Sequence, residues 1–180
     1  MALTATMHRW QINVSDVDRG VYEALDLRLA QHPSESLRFL ITRALAYCLS
    51  YEEGIAFSKG GVSSTDEPPI SVRDPTGLLL AWVDVGSPSA ERLHKAAKAA
   101  ARVALFTTSE LEALRSDAGS IHKAESIQVF RLDPALVGAI EARLDRNLAL
   151  ELTRSEGHLY VTLGGETLSG SIEQSSLVEG

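Results

Sequence analysis

One cysteine, Cys48, stands in 180 residues. No internal disulfide can close, and a reducing cytoplasm is the expected compartment. Aromatic residues make up only 6%, so the core must be built mostly from Leu, Val, Ile and Ala, and platforms for stacking bases are scarce. No stretch approaches the ~20 apolar residues of a membrane span, so no membrane is expected. The first ten residues also lack the basic end and apolar block of a signal peptide. The five histidines (His8, His32, His94, His122 and His158) show no paired ligand spacing, which argues against zinc. Cations are outnumbered: 17 Lys and Arg face 24 Asp and Glu, a formal net charge of −7. A broad nucleic-acid surface is disfavoured, because nonspecific affinity comes from neutralised phosphates. A local basic groove for nucleic acid on an acidic body is still compatible.

What is present suits one domain with one core. Hydrophobic residues reach 44%, enough to bury a core rather than leave a disordered chain. Trp10, Ile12 and Val14 alternate with polar neighbours, giving a strand over 4–14. Leu25, Leu27 and Leu29 repeat the pattern up to about Ala30, so the two strands read as an N-terminal hairpin. After Pro33, with Ser34 as cap, apolar residues from Leu37 to Leu49 recur at helical spacing in a first helix that ends at Gly54. Ile55-Ala56-Phe57 is a short strand, Gly60-Gly61 and Ser63-Ser64 mark a loop, and Pro68-Pro69 postpones the next strand to about Ile70. Pro88 opens a second helix to about Ala101, and 103–106 forms a strand. Ser109 with Glu112 spells a capping box for a third helix. A strand over 127–132 leads through Asp133-Pro134 into a fourth helix. Two alternating stretches, 147–153 and 158–163, make a C-terminal hairpin, and the small polar residues after about Ser169 are expected to fray. Helices interleaved with strands, flanked by two hairpins, give an α+β chain with a mixed sheet covered by helices.

The chemistry centres on Asp84. It interrupts the apolar run Leu78–Gly86, which reads as a strand covered on both faces. A buried carboxylate costs several kcal/mol, in order of magnitude, unless it is paired, protonated or bound to a metal. Two sources of relief are near in sequence: Asp66-Glu67 upstream, which with a cation between the acids would form a Mg²⁺ site, and the basic stripe Arg92, Lys95, Lys98 downstream. If Val72 faces Leu78 across the 73–77 turn, Asp66 falls opposite Asp84, and a slip of one residue brings Glu67 there instead. Glu35 falls in the first turn of the first helix, where the macrodipole favours an acid and where it could also support a metal. Lys95 lies on the solvated face of the second helix. It is either a wet surface cation or the group that steadies charge beside Asp84, with Lys98 one turn on as the substitute. The plainer alternative is a solvated 66–67 loop and an Asp84 at the wet end of its strand. Cys48, on the apolar stripe of the first helix, is expected in the core.

The opening Met1-Ala2-Leu3-Thr4-Ala5-Thr6, the His32-Pro33-Ser34-Glu35 step, Asp66-Glu67-Pro68, the block Trp82-Val83-Asp84-Val85-Gly86 and Val103-Ala104-Leu105-Phe106-Thr107 together resemble the YaeQ family of bacterial proteins, end to end. That resemblance implies a variant of the PD-(D/E)XK nuclease superfamily, with a restriction-endonuclease-like core. It implies Glu35 as the helix acid, Asp66 or Glu67 as the first strand acid, and Asp84 as the start of an Asp/Glu-x-Lys element around Mg²⁺. Gly86 occupies the lysine position, so Lys95 is the expected migrated lysine. The implied activity is Mg²⁺-dependent cleavage of nucleic-acid phosphodiesters. The alternative is a non-catalytic binding or regulatory protein on the same frame.

Overall fold

The computed structural model describes residues 4–59 and 66–178. The expected loop at Gly60-Gly61 and Ser63-Ser64 lies outside the described residues. Strands β1 (Thr6–Asp16) and β2 (Val21–Gln31) form the expected hairpin, with Trp10 opposite Leu27 and Ile12 opposite Leu25. Alternation sets their faces: Trp10, Ile12 and Val14 point inward while Gln11 and Asn13 stay wet. Helix α1 (Leu37–Leu49) is capped by Ser36, whose hydroxyl accepts from the Phe39 N–H, rather than by Ser34. It stops at Leu49, short of Gly54. Next come β3 (Ile55–Phe57), β4 (Ile70–Arg73), β5 (Leu79–Val85), α2 (Ala90–Ala99) and β6 (Arg102–Thr107). Helix α3 (Glu112–Ser116) is a short turn whose N-cap is Leu111, so the Ser109–Glu112 capping box does not form. The Ser109 N–H is instead held by the Thr107 hydroxyl. β7 (Gln128–Leu132), α4 (Pro134–Glu141), β8 (Asn147–Ser155), β9 (His158–Leu163) and β10 (Glu166–Ser176) complete the chain.

The ten strands of the described residues join one mixed sheet in the order β2-β1-β8-β9-β10-β7-β6-β5-β4-β3. The β1–β8, β5–β6 and β6–β7 pairs are parallel. The sheet curls, so that Trp10, Ile12 and Leu29 from one end share a single core with Val83, Val85 and Phe106 from the other, around α1 and α4. A second cluster lies outside the β5–β7 half: Trp82, Leu105 and Val129 pack against Leu93 and Ala96 of α2. Cys48 is fully buried in the inner core, and burial pushes its thiol well above the ordinary cysteine range. Among the described residues no helix is long and apolar enough to cross a membrane.

The expected frayed tail after about residue 170 is overturned. β10 runs through the middle of the sheet, its first half on β9 and its second half, from Ile172, on β7. Ladder hydrogen bonds use only backbone groups, so the small polar composition did not forbid an interior strand. Smallness has a use here. A Cβ on Gly170 would lie 2.8 Å from the Leu136 Cβ and 3.0 Å from that of Asp133, so α4 can seat on β10 only over a glycine. Gly170→Ala is therefore expected to lower stability by about 1–3 kcal/mol through overpacking. Gly119→Ala, where an added Cβ meets nothing within 4 Å, should stay within about 0.5 kcal/mol of the parent. Urea unfolding of the two variants checks the contrast.

Candidate functional site: the Asp84 ion pair

In the last half of β5 Val83 and Val85 face the inner core and Trp82 faces α2, since Val83 and Val85 join the first cluster and Trp82 the second. Asp84 therefore points outward with Trp82. It is buried, with 2% of its surface exposed. The chain then turns at Gly86 (φ +87°), passes Pro88, and restarts in α2 with Ser89 as N-cap, its hydroxyl accepting from the Arg92 N–H. That short return swings the first turn of α2 over Asp84.

The carboxylate is satisfied by protein. Arg92 Nε donates to Oδ2 at 2.8 Å, Trp82 Nε1 donates to the same oxygen at 3.2 Å, and the Val85 N–H donates to Oδ1 at 3.0 Å. The guanidinium carbon lies 5.4 Å from the Trp82 ring centroid, adding a cation–π contact. Arg92 Nη2 also donates to the Glu67 carbonyl at 3.0 Å, tying the 66–69 segment to α2. Of the two sources of relief legible in the sequence, the basic stripe is the one used. An anion under a helix N-terminus gains further from the macrodipole, whose positive end it faces.

The other expected site residues lie elsewhere. The β4–β5 register pairs Ile70 with Val83 and Val72 with Ala81, with an irregularity between Val72 and Arg73, so Asp66 does not fall opposite Asp84. Asp66 and Glu67 precede β4 altogether, because Pro68 and Pro69 bring no N–H to a ladder. The shift originates in the turn. Asp74 Oδ1 accepts from the Thr76 N–H, the Thr76 hydroxyl and the Leu78 N–H, which holds its carboxyl below the usual range, the Thr76 hydroxyl acting most strongly. The Glu67 side chain accepts from the Ser58 hydroxyl at 2.8 Å. Glu35 precedes α1 instead of opening it. It forms a buried two-bond pair with Arg43, at 2.9 and 3.1 Å, and accepts the His32 N–H. Lys95 is 59% exposed and reaches Glu91 at 3.9 Å, and Lys98 is exposed in the last turn of α2. Gly86 could not carry the missing lysine: besides its positive φ, a Cβ there would meet the Phe39 ring at 2.9 Å. Among the described residues, no three His, Cys, Asp or Glu side chains converge as metal ligands. The donor set as arranged therefore does not fit Mg²⁺, which takes anionic oxygens and waters rather than a position already held by a guanidinium.

A family model described as YaeQ protein matches residues 1–172. The chain is 32% identical to the YaeQ protein of Escherichia coli (strain K12) over 166 residues, 90% of this chain and 91% of that one. It is 31% identical to the Salmonella typhi YaeQ protein over the same shares. Among solved structures, the YaeQ protein from Xanthomonas axonopodis pv. citri superposes with a TM-score of 0.85 at 28% identity, covering 96% of this chain and 99% of the other. The Pseudomonas syringae YaeQ protein gives 0.86 at 26% identity, covering 94% and 95%.

If Arg92 is the counter-ion of Asp84, removing it strands a buried charge. Arg92→Ala should cost about 2–4 kcal/mol, whereas replacing both partners by apolar residues (Asp84→Leu with Arg92→Met) should recover most of that loss. Asp84→Asn, which would relieve a crowded acidic cluster, should here lower the unfolding free energy. Denaturant unfolding of the four proteins reads all three effects.

Proposed function

The chain belongs to the YaeQ family, and from that membership together with the state of Asp84 we propose a non-catalytic binding or regulatory protein built on a nuclease-like frame. The frame is the β3–β7 half of the sheet, with α1 on its inner face and α2 on its outer face, which we read as the restriction-endonuclease-like core. One observation carries the proposal: both oxygens of Asp84 already accept protein N–H groups, one of them from a guanidinium. Breaking that pair to admit a hydrated dication would expose a buried charge to a competitor that must also shed water. Glu35 supports the same reading. Its charge is matched by Arg43, and the helix it precedes packs on the face of the sheet away from Asp84.

A Mg²⁺-dependent nuclease is the second reading, and a specific contact favours it. Arg92 donates to both the Asp84 carboxylate and the Glu67 carbonyl, which keeps two of the expected acids on neighbouring segments next to a helix that also carries Lys95. That helix, with Arg92, Lys95 and Lys98, would be the local basic groove for nucleic acid. A calorimetric titration with Mg²⁺ and Mn²⁺, run beside incubations with single- and double-stranded DNA and RNA, separates the readings. The binding-protein reading expects no saturable heat and no cleavage beyond that of Asp84→Ala. Metal-dependent cleavage present in the parent and absent in Asp84→Ala overturns it.

A further inference from the structure

On the face of β5 opposite Asp84 the curled sheet leaves a cleft of about 520 Å³. That size suits a small organic ligand, which pockets of roughly 300–1,000 Å³ enclose. Its floor comes from the inner faces of β4 to β7: Val72, Ala81, Val83, Ala104, Phe106 and Phe130. The two phenylalanine rings stack at 4.6 Å. The lining carries three arginines, Arg19, Arg102 and Arg154, each facing an acid: Asp16, Glu52 and Asp18 respectively.

Arg154 is the unusual member. It continues the inward series Leu150, Leu152 of β8, where the pattern calls for another apolar residue, and only 7% of it is exposed. Its guanidinium has five N–H donors but makes one long hydrogen bond, from Nη2 to Gln174 Oε1 at 3.4 Å. Nε is buried with no hydrogen bond, although Asp18 Oδ2 is 3.4 Å away, and Nη1 is 3.9 Å from Asp16 Oδ2. Asp16 itself is engaged by Arg19, whose Nε donates to Oδ2 at 2.9 Å. Arg43 and Arg92, by contrast, close hydrogen bonds of 2.8–3.1 Å with their acids. A buried guanidinium is costly unless its donors are taken up, and this one lines an open cleft.

We propose that the cleft binds a small amphipathic carboxylate, with its apolar or aryl body on the Val83–Ala104–Phe130 floor and its carboxylate on the terminal Nη1 and Nη2 donors of Arg154. The guanidinium lies 5.4 Å from the Phe130 ring centroid, so charge and apolar floor adjoin in one place. A carboxylate matches the forked donor geometry of arginine, and a neutral amide does not.

The test uses the full chain with phenylacetate, phenylbutyrate and octanoate as probes, each beside its amide, in thermal-shift and calorimetric titrations. At least one acid should raise the melting temperature and bind about tenfold or more tightly than its amide. Arg154→Gln should remove the preference for acid over amide. Because that variant also disturbs the Asp16 and Asp18 pairs, Ala104→Trp serves as the second probe: it fills the floor, should retain the parent circular dichroism, and should abolish binding. Equal response to acid and amide, binding that survives Ala104→Trp, or no response to any acid overturns the assignment. Binding confined to peptides with a free C-terminal carboxylate overturns the small-molecule ligand.

Discussion

A carboxylate sealed beneath protein must meet a positive partner, and in this fold that partner is each time an arginine. Three acids lie buried among the described residues: Asp16, Glu35 and Asp84. Asp16 is held by Arg19, Glu35 by Arg43 and Asp84 by Arg92, all with N···O distances of 2.8–2.9 Å. Removing either member of such a pair leaves an uncompensated charge, which couples each pair to the packing around it. A guanidinium suits the task because its planar fork answers both carboxylate oxygens and its faces lie well on aromatic rings, as Arg92 does over Trp82 and Arg43 near Phe57.

These pairs stand where elements meet. Arg43 fastens the entry of α1 to the end of β2, because it also donates to the Ala30 carbonyl. Arg92 fastens α2 to β5 and to the segment leading into β4. Arg19 and Arg154 gather around Asp16 and Asp18 where β1 and β8 end. The pairs thus fix where helices leave the sheet, while the apolar faces supply most of the driving force for burial. Glu35 and Asp84, two of the acids singled out in the sequence, are therefore anchors of the fold. Among the buried ions of the described residues the least satisfied is a cation, Arg154, in a different place.

Much of this was legible beforehand. Alternation in 10–14 and 25–29 set the first hairpin, the apolar run around Trp82 set a strand covered on both faces, and the stripe Leu40, Ile41, Ala44, Leu45, Cys48 set α1. The need for a counter-charge at Asp84 was legible too, since one carboxylate in an apolar strand demands one. Which cation would answer was not. Arg92, Lys95 and Lys98 share one basic stripe, and only the tight Gly86–Ser89 return, which sets the rotation of α2, selects Arg92. The β4–β5 register departs from simple hairpin pairing because Asp74 organises a turn that displaces the ladder, and two prolines keep Asp66 and Glu67 out of β4. β10 is not legible in the sequence because small polar residues carry no hydrophobic period, although the close approach of α4 requires Gly170. Arg154 could have been noticed as the charge that breaks the inward series of β8, but its shortage of partners is a three-dimensional fact.

Asp84 is neutralised by Arg92, whose guanidinium holds the position on Oδ2 that a dication would need. The Trp82 indole N–H, which donates to Asp84 at 3.2 Å, reports directly on that carboxylate. The chain has two tryptophans, so the Trp10 indole, bound to the Asp145 carbonyl, serves as an internal reference. In a ¹H–¹⁵N spectrum recorded while Mn²⁺ is added, the account predicts that the two indole signals keep equal intensity. Selective paramagnetic loss of the Trp82 signal, with Trp10 unaffected, would place a metal ion at Asp84 and contradict it.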